Sequence, residues 1–332
     1  MGVKYIGAEV QRMEDLRLLK GSGRYVDDIT RDRMLHVAFL RSEHAHANIK
    51  NIDTENAQIL DGVHGVLTYR DIASSFDLKR MSQLFPAPVI EQNITQYPVA
   101  NEEVCYVGEI VAVVVAENRA VAEDAIEIIN VEYDVMPAII DCRLALEPNA
   151  PKAHNKSKNN LVGVIQTSFG EIDEAFKTAD HVFRRSFLQH RGGCHAMECR
   201  GVVAEHDASE NTLTLWSSTQ CPYLVRRSLA DYLGENEESI RVIAPDVGGG
   251  FGPKAGFYPE EIIVPLLARS FGQPIKWIED RHEHFVATTT QRDQQWDVEV
   301  ACDSDGLIKG IRGEVTHEIG DYVPYGFLLA FT

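Results

Sequence analysis

The chain has 332 residues, 44% hydrophobic and 25% charged, the balance of an ordinary folded protein with about two domains. Thirty-two Lys and Arg against 50 Asp and Glu leave a formal net charge of -18, a surface that repels phosphate backbones and argues against nucleic acid as a partner. No apolar run approaches the ~18 residues that cross a bilayer, and residues 1–19 are charged without a signal-peptide core, so no membrane association and a cytoplasmic location are expected.

Residues 1–20 read as an extended arm that ends in the turn at Gly21 to Tyr25 and the acidic pair Asp27-Asp28. Alternation of apolar and polar positions predicts strands over 35–40 and 62–68, and the prolines at 86 and 88 make 74–95 a loop. The run Ile110-Val-Ala-Val-Val-Val-Ala116 predicts a strand buried on both faces. Asn118 then stands as an N-cap before a helix carrying Val121, Ala125, Ile128 and Ile129, and a strand resumes at Asn130. This β-α-β order predicts an α/β first domain over residues 1–146. Residues 147–161 are polar and proline-bearing and read as a linker, and 162–332 form the second domain. Within the latter, strands are predicted over 183–188, 213–217, 241–244, 275–278 and 296–301. A helix is predicted over 222–233, with Pro222 in its first turn and Gly234 just past its end, and another over 259–271. The sequence ends on the apolar run Tyr325-Gly-Phe-Leu-Leu-Ala-Phe-Thr332, which needs cover from something else, either a partner or the rest of a longer chain.

Cysteines at 105, 142, 194, 199, 221 and 302 include no C-x-x-C pair and read as reduced thiols. Cys194 and Cys199 beside His190 and His195 do not have standard zinc spacing, while His44 and His46 would face the same way on a strand, which leaves a metal pair open on the residues alone. The densest signal is Asp246-Val-Gly-Gly-Gly-Phe-Gly-Pro-Lys254, with glycines at 248, 249, 250 and 252. Such a cluster serves positive φ or close approach to the backbone. It matches neither G-x-x-x-x-G-K-[ST] nor G-x-G-x-x-G, because Ala255 follows the lysine and Pro253 stands where a third glycine belongs. On the residues alone, a ligand loop and a plain tight turn are both open.

A chain-long set of motifs resembles the N-terminal part of the molybdopterin-binding large subunit of the xanthine dehydrogenase, aldehyde oxidase and carbon monoxide dehydrogenase family. The matching residues begin with Arg12-x-Glu14-Asp15-x-Arg17-Leu18-Leu19-x-Gly21-x-Gly23-x-Tyr25-x-Asp27-Asp28 and Arg41-Ser42-x-His44-Ala45-His46-Ala47. They continue with Tyr106-Val107-Gly108-Glu109, Trp216-x-Ser218-Thr219-Gln220 and Val247-Gly248-Gly249-Gly250-Phe251-Gly252. Lys276-Trp277-x-Glu279-Asp280-Arg281 and Arg292-Asp293-Gln294 complete the series.

The resemblance implies an α+β chain: an α/β hammerhead domain with an N-terminal arm, then the first, incomplete part of a molybdenum cofactor-binding domain. It implies Mo-molybdopterin, in the cytosine dinucleotide form, held in part by Gln220, Gly249, Gly250, Phe251 and Gly252, with Gln220 and Phe251 nearest the molybdenum. Ala255 stands where xanthine-oxidising members carry a substrate-binding Glu, which argues against a purine substrate. Met197-Glu198 resembles the family's Met-Glu-Pro-Arg turn, with Ala196 and Cys199 in place of flanking prolines, and Glu198 reads as structural. The implied reaction is hydroxylation of an N-heterocycle or aldehyde with oxygen from water. No catalytic residue is assigned within this chain, because the glutamate base falls beyond Thr332. The implied partners are a C-terminal molybdopterin-binding half or subunit, a [2Fe-2S] subunit and an FAD subunit. The alternative is a truncated or degenerate scaffold without catalysis.

Overall fold

The computed structural model describes residues 6–92, 94–290 and 293–324. The apolar run at 325–332 and Arg292 of the last motif lie outside the described residues.

Thirteen strands are described. They are β1 (Leu35–Arg41), β2 (Ala47–Asp53), β3 (Val63–Thr68), β4 (Glu103–Val104), β5 (Ile110–Ala116), β6 (Asn130–Val135), β7 (His181–Gln189), β8 (Gly201–Asp207), β9 (Thr212–Ser217), β10 (Ile240–Ile243), β11 (Ile275–Ile278), β12 (Gln294–Cys302) and β13 (Ile308–His317). The three longest helices are α1 (Arg119–Glu127), α2 (Pro222–Leu233) and α3 (Glu260–Phe271).

A seven-stranded mixed sheet, ordered β10-β9-β8-β11-β1-β5-β3, forms the centre. It draws strands from both sides of residues 147–161, and the two sides meet where Leu35 of β1 pairs in parallel with Ile275 of β11. One core cluster accordingly contains Leu35, Phe39 and Val113 together with Leu215, Leu266 and Trp277. A small sheet, β4-β2-β6, lies within the first part, and a separate antiparallel sheet, β13-β12-β7, within the second.

The buried run at 110–116 forms β5 as its composition demands, with every residue buried. Val113 and Val115 belong to the cluster that includes α3, whereas Ala112, Val114 and Ala116 pack with Ala122 and Ala125 of α1. The β-α-β expectation is corrected in its pairing. β5 is antiparallel to both β1 and β3, and β6 leaves for the small sheet. The alternating polar sequence of β6 explains this, since it suits a half-exposed edge and not a doubly covered centre. Asn118 caps α1 by accepting from the Val121 amide at 3.0 Å. α2 spans the expected residues and ends with Gly234 in the left-handed region at φ 69°. The arm is not extended throughout, because Asp15–Leu19 makes a short exposed helix. Its leucines favour helix, and Asp15 sits in its first turn.

Residues 147–161 hold no helix or strand beyond the turn that starts before them, yet they are packed against the first part of the chain. His154 and Ser157 are buried, and Asn155 donates its amide to Glu103 at 2.7 Å. Among the described residues, no helix is long and apolar enough to cross a membrane.

Candidate functional site

Two connections between secondary elements build the site. Strand β9 ends at Ser217, and Ser218, Thr219 and Gln220 lead into α2 at Pro222. Strand β10 ends at Ile243 and opens into the glycine loop, which closes in a single 3-10 turn at Pro253–Ala255. β9 and β10 are parallel neighbours, so both connections leave the same end of the sheet.

The start of the loop is fixed by charge. Arg17 of the N-terminal arm grips both oxygens of Asp246, and the Arg24 amide donates to Asp246 Oδ2 at 2.8 Å. The Arg17 guanidinium holds the Asp246 carboxyl down at about 2. Beyond it, each glycine has its own reason. A Cβ on Gly248 would stand 2.5 Å from Glu198 Cβ, and one on Gly250 would stand 2.4 Å from Gln220 Cγ. Gly249 and Gly252 take φ of 102° and 103°, and Phe251 itself is left-handed at 55°. The close approach at Gly248 and Gly250 is therefore made by the protein's own side chains.

Gln220 is brought directly onto the loop. Its Oε1 accepts from the Gly252 amide at 2.9 Å, and its backbone N–H donates to the Lys254 carbonyl at 2.9 Å. Since the side-chain oxygen is occupied, the NH2 end is the part left to donate outward. Gln220 is exposed, and the Phe251 ring is 67% exposed, so this surface is open. Ala255 is half-buried in the closing turn and donates its amide to the Gly252 carbonyl at 2.8 Å.

Beneath the loop lies an ion pair that the sequence reading did not single out. Lys254 is 2% exposed, and its ammonium donates to Glu198 Oε2 at 2.8 Å and to Ser218 Oγ at 2.6 Å. Burial lowers the Lys254 pKa, and Glu198 opposes the shift. Glu198 Oε2 also accepts from Ser218 Oγ at 2.6 Å and from the Gly248 amide at 2.7 Å. Glu198 thus anchors the loop, in keeping with a structural role. Its Oε1 is buried without a partner among the described residues. The only local signal for Lys254 was its setting among Pro253, Ala255, Gly256 and Phe257, a poor place for a solvated amine.

The other ligand-capable side chains are engaged elsewhere. His46 is buried and bonded to Glu103 Oε1 at 2.8 Å, while His44 stacks edge-on against Tyr133. Cys105 Sγ meets His154 Nδ1 at 3.1 Å. Cys199 places its sulfur near Glu279 and His284, not in a set with His190 and Cys194. Glu279 is already committed to Arg200, at 2.8 Å through the backbone amide and 2.5 Å through the guanidinium. All six cysteines are free.

The class is that of molybdopterin cofactor-binding proteins. The chain belongs to the aldehyde oxidase and xanthine dehydrogenase family: residues 20–137 match its a/b hammerhead domain, and residues 153–331 match the molybdopterin cofactor-binding domain. It is 39% identical over 316 residues to the nicotine 6-hydroxylase large subunit of Paenarthrobacter nicotinovorans, covering 95% of this chain and 38% of that one. The carbon monoxide dehydrogenase large chain of Afipia carboxidovorans is 36% identical, with 96% and 40% covered. The crystal structure of quinoline 2-oxidoreductase from Pseudomonas putida 86 superposes with a TM-score of 0.86 at 40% identity, covering 93% of this chain and 39% of that chain. The chain therefore spans about 40% of the length of these relatives.

Proposed function

We propose that this chain supplies one side of a molybdenum hydroxylase pocket, acting on an N-heterocycle or aldehyde, with the other side supplied by a C-terminal molybdopterin-binding half. The observation that carries the reading is the Gln220 amide, fixed by the Gly252 N–H at 2.9 Å on an exposed surface. A neutral amide can both accept from the loop and donate to an oxygen of a charged centre without adding charge. Gly249, Gly250, Phe251 and Gly252 would lie beside it, with Gln220 and Phe251 nearest the metal. These residues fit the group: the donor is free, the glycines hold it rigidly, and Glu198 and Lys254 brace it from below.

When bound, the molybdenum cofactor supplies the two-electron oxidation that places a water-derived oxygen on an electron-poor carbon. The chain's own residues position and orient, and no proton-transfer base is assigned among them. Ala255 would face the substrate with a methyl group, which leaves a purine without a charged partner. The names of two relatives, a nicotine hydroxylase and a quinoline oxidoreductase, support an N-heterocycle. The same reading places the cytosine dinucleotide form of the cofactor here, a [2Fe-2S] subunit and an FAD subunit as electron-carrying partners, and the whole in the cytoplasm. The alternative of a degenerate scaffold is disfavoured by the intact contact between Gln220 and the loop.

Purification from the source cell with metal analysis is the test. One molybdenum per complex, and almost none on the isolated chain, is the expected result. Stable 1:1 molybdenum on the isolated chain would end the divided-pocket reading. In the active complex, Gln220→Ala should lower turnover by about a hundredfold to a thousandfold, the scale of losing one donor at a reacting centre. Unchanged turnover with quinoline-like and aldehyde substrates would remove Gln220 from the site.

A further inference from the structure

The β13-β12-β7 sheet has one polar face and one apolar face, and only the polar face is satisfied. On the polar face Arg184, Glu299 and Arg312 stand in one cross-strand row, with Glu299 paired to both arginines. Ser186 bonds Asp297 in the next row. The short helix Ile172–Lys177 covers one end of this face, with Phe176 under the Arg312 guanidinium at 4.1 Å.

The opposite face carries the rows Phe187, Trp296, Val315 and Phe183, Val300, Ile311, as the strand register aligns them. Phe183, Phe187 and Ile311 are 59%, 57% and 59% exposed. Between them lies the row Arg185, Val298, Gly313, in which Val298 joins the two apolar rows along β12 and Arg185 stands at the β7 edge. Isolated exposed hydrophobes are ordinary, but two apolar rows joined in this way across three strands form a patch of the kind that soluble proteins keep for a partner. A sheet this small also needs a covered apolar face to be stable. Both outer strands, β7 and β13, have an open edge within this sheet.

We propose that this apolar face is the docking surface for the C-terminal molybdopterin-binding portion of the subunit, the region of the relatives that has no counterpart here. The proposal rests on the functional reading above. More than half the length of these three relatives is unmatched by this chain, so a large body of protein is available to cover the face. The location also suits it. β7 runs directly into residues 190–200, which carry Glu198 beneath the glycine loop, so the sheet is tied by a short connection to the support of the loop that holds Gln220. At that end of the sheet, Arg191 ties Glu318 after β13 to Asp293 before β12.

The tryptophans provide the readout. Trp216 and Trp277 are buried, at 8% and 2% exposure, whereas Trp296 lies on the proposed surface at 38%. The full chain is co-expressed with the C-terminal molybdopterin-binding region that its source cell encodes, as a separate polypeptide or as a continuation. The expected result is a complex whose Trp296 is shielded from acrylamide relative to the chain alone. Phe187→Glu with Ile311→Glu should cut recovery of the separately supplied C-terminal region by at least about tenfold. A carboxylate in a desolvated interface costs more than the ~1.4 kcal/mol that a factor of ten represents. Glu314→Gln, on the polar face, should leave recovery unchanged, and circular dichroism checks that each variant folds.

Recovery of the C-terminal region by the folded apolar-face double variant, or a Trp296 that stays accessible in the complex, overturns the docking surface while leaving the functional reading intact. A self-associated dimer that the double variant abolishes overturns it in favour of a second copy. A complex that forms as described but lacks molybdenum upholds the surface and defeats the functional reading. Failure of the unmodified chain to bind the C-terminal region overturns both.

Discussion

At Gly250 a single methyl group would stand 2.4 Å from Gln220 Cγ, so the glycine and the amide are one device. Glycine clusters are legible in a sequence, but what approaches them is not, because Gln220 and Gly252 are 32 residues apart. The buried acids are harder still to read. Glu109 is 2% exposed, accepts the Cys105 amide at 2.6 Å and the Tyr322 hydroxyl at 2.7 Å, and is pushed by burial up to about 8. Asp321, half-buried, is raised to about 7, chiefly by desolvation. An unfolded carboxyl titrates near 4. The unfolded chain releases these protons near pH 4 and the folded chain keeps them to about pH 7–8, so stability is full below about pH 4 and falls as pH rises from there to about 8. The unfolding free energy from urea titration should drop across this range by an amount on the order of 1 kcal/mol or more. Glu109→Gln, whose amide can still accept from Cys105 and donate to Tyr322, should flatten the decline. The same slope in the variant would show that Glu109 does not carry it.

Elements with local punctuation were readable, and elements defined by distant partners were not. Pro222 and Gly234 bracket α2, and the unbroken apolar run makes β5, because proline, glycine and burial act locally. The helix Arg281–Ala287, by contrast, announces itself only through the cap in which Asp280 accepts the Glu283 amide at 2.7 Å, a pattern easily passed over in a charged stretch. β2, β8 and β13 were not anticipated at all. The same limit hides the ion network that joins the elements. Arg200, at the start of β8, pairs with Glu279 after β11 and with Glu260 at 3.1 Å in the first turn of α3. Arg41, at the end of β1, reaches Glu260 and Glu283, each at 2.6 Å. Arg41 and Glu279 stand in recognisable motifs, but Glu260, which joins Arg41 to Arg200, lies 219 and 60 residues from those two arginines in sequence. Removing one member of a buried network leaves its partners charged and uncompensated. Arg200→Met should therefore cost about 3–5 kcal/mol, measured as a lower urea midpoint, while exposed Arg227→Met should cost almost nothing. A loss below about 1 kcal/mol for Arg200→Met would mean that water enters the cluster and screens it.

For the whole molecule, the composition of residues 147–161 and their packing point in opposite directions. Polar, proline-bearing stretches are where domains are usually joined and where cleavage is tolerated. Here the stretch is stitched to the first part by Asn155 on Glu103 and on Asn48, by His154 on Cys105, and by Gln92 on Asn159. More decisively, the central sheet does not respect it. β1 lies between β5 and β11, so separating the two parts exposes both flanks of that junction and opens the core cluster shared by Phe39 and Trp277, whose rings meet at 5.5 Å. Phe39 and Trp277 are 6% and 2% exposed, so separating the parts would return both rings to water. A protease site inserted at the exposed Pro148-Asn149 bond should therefore be cleavable without dissociation. The nicked chain should elute as one species and come apart only in denaturant, and residues 1–146 expressed alone should lack a cooperative unfolding transition. Two pieces that separate after cleavage, each with its own sharp transition, would make the shared sheet a mere contact and 147–161 a true linker.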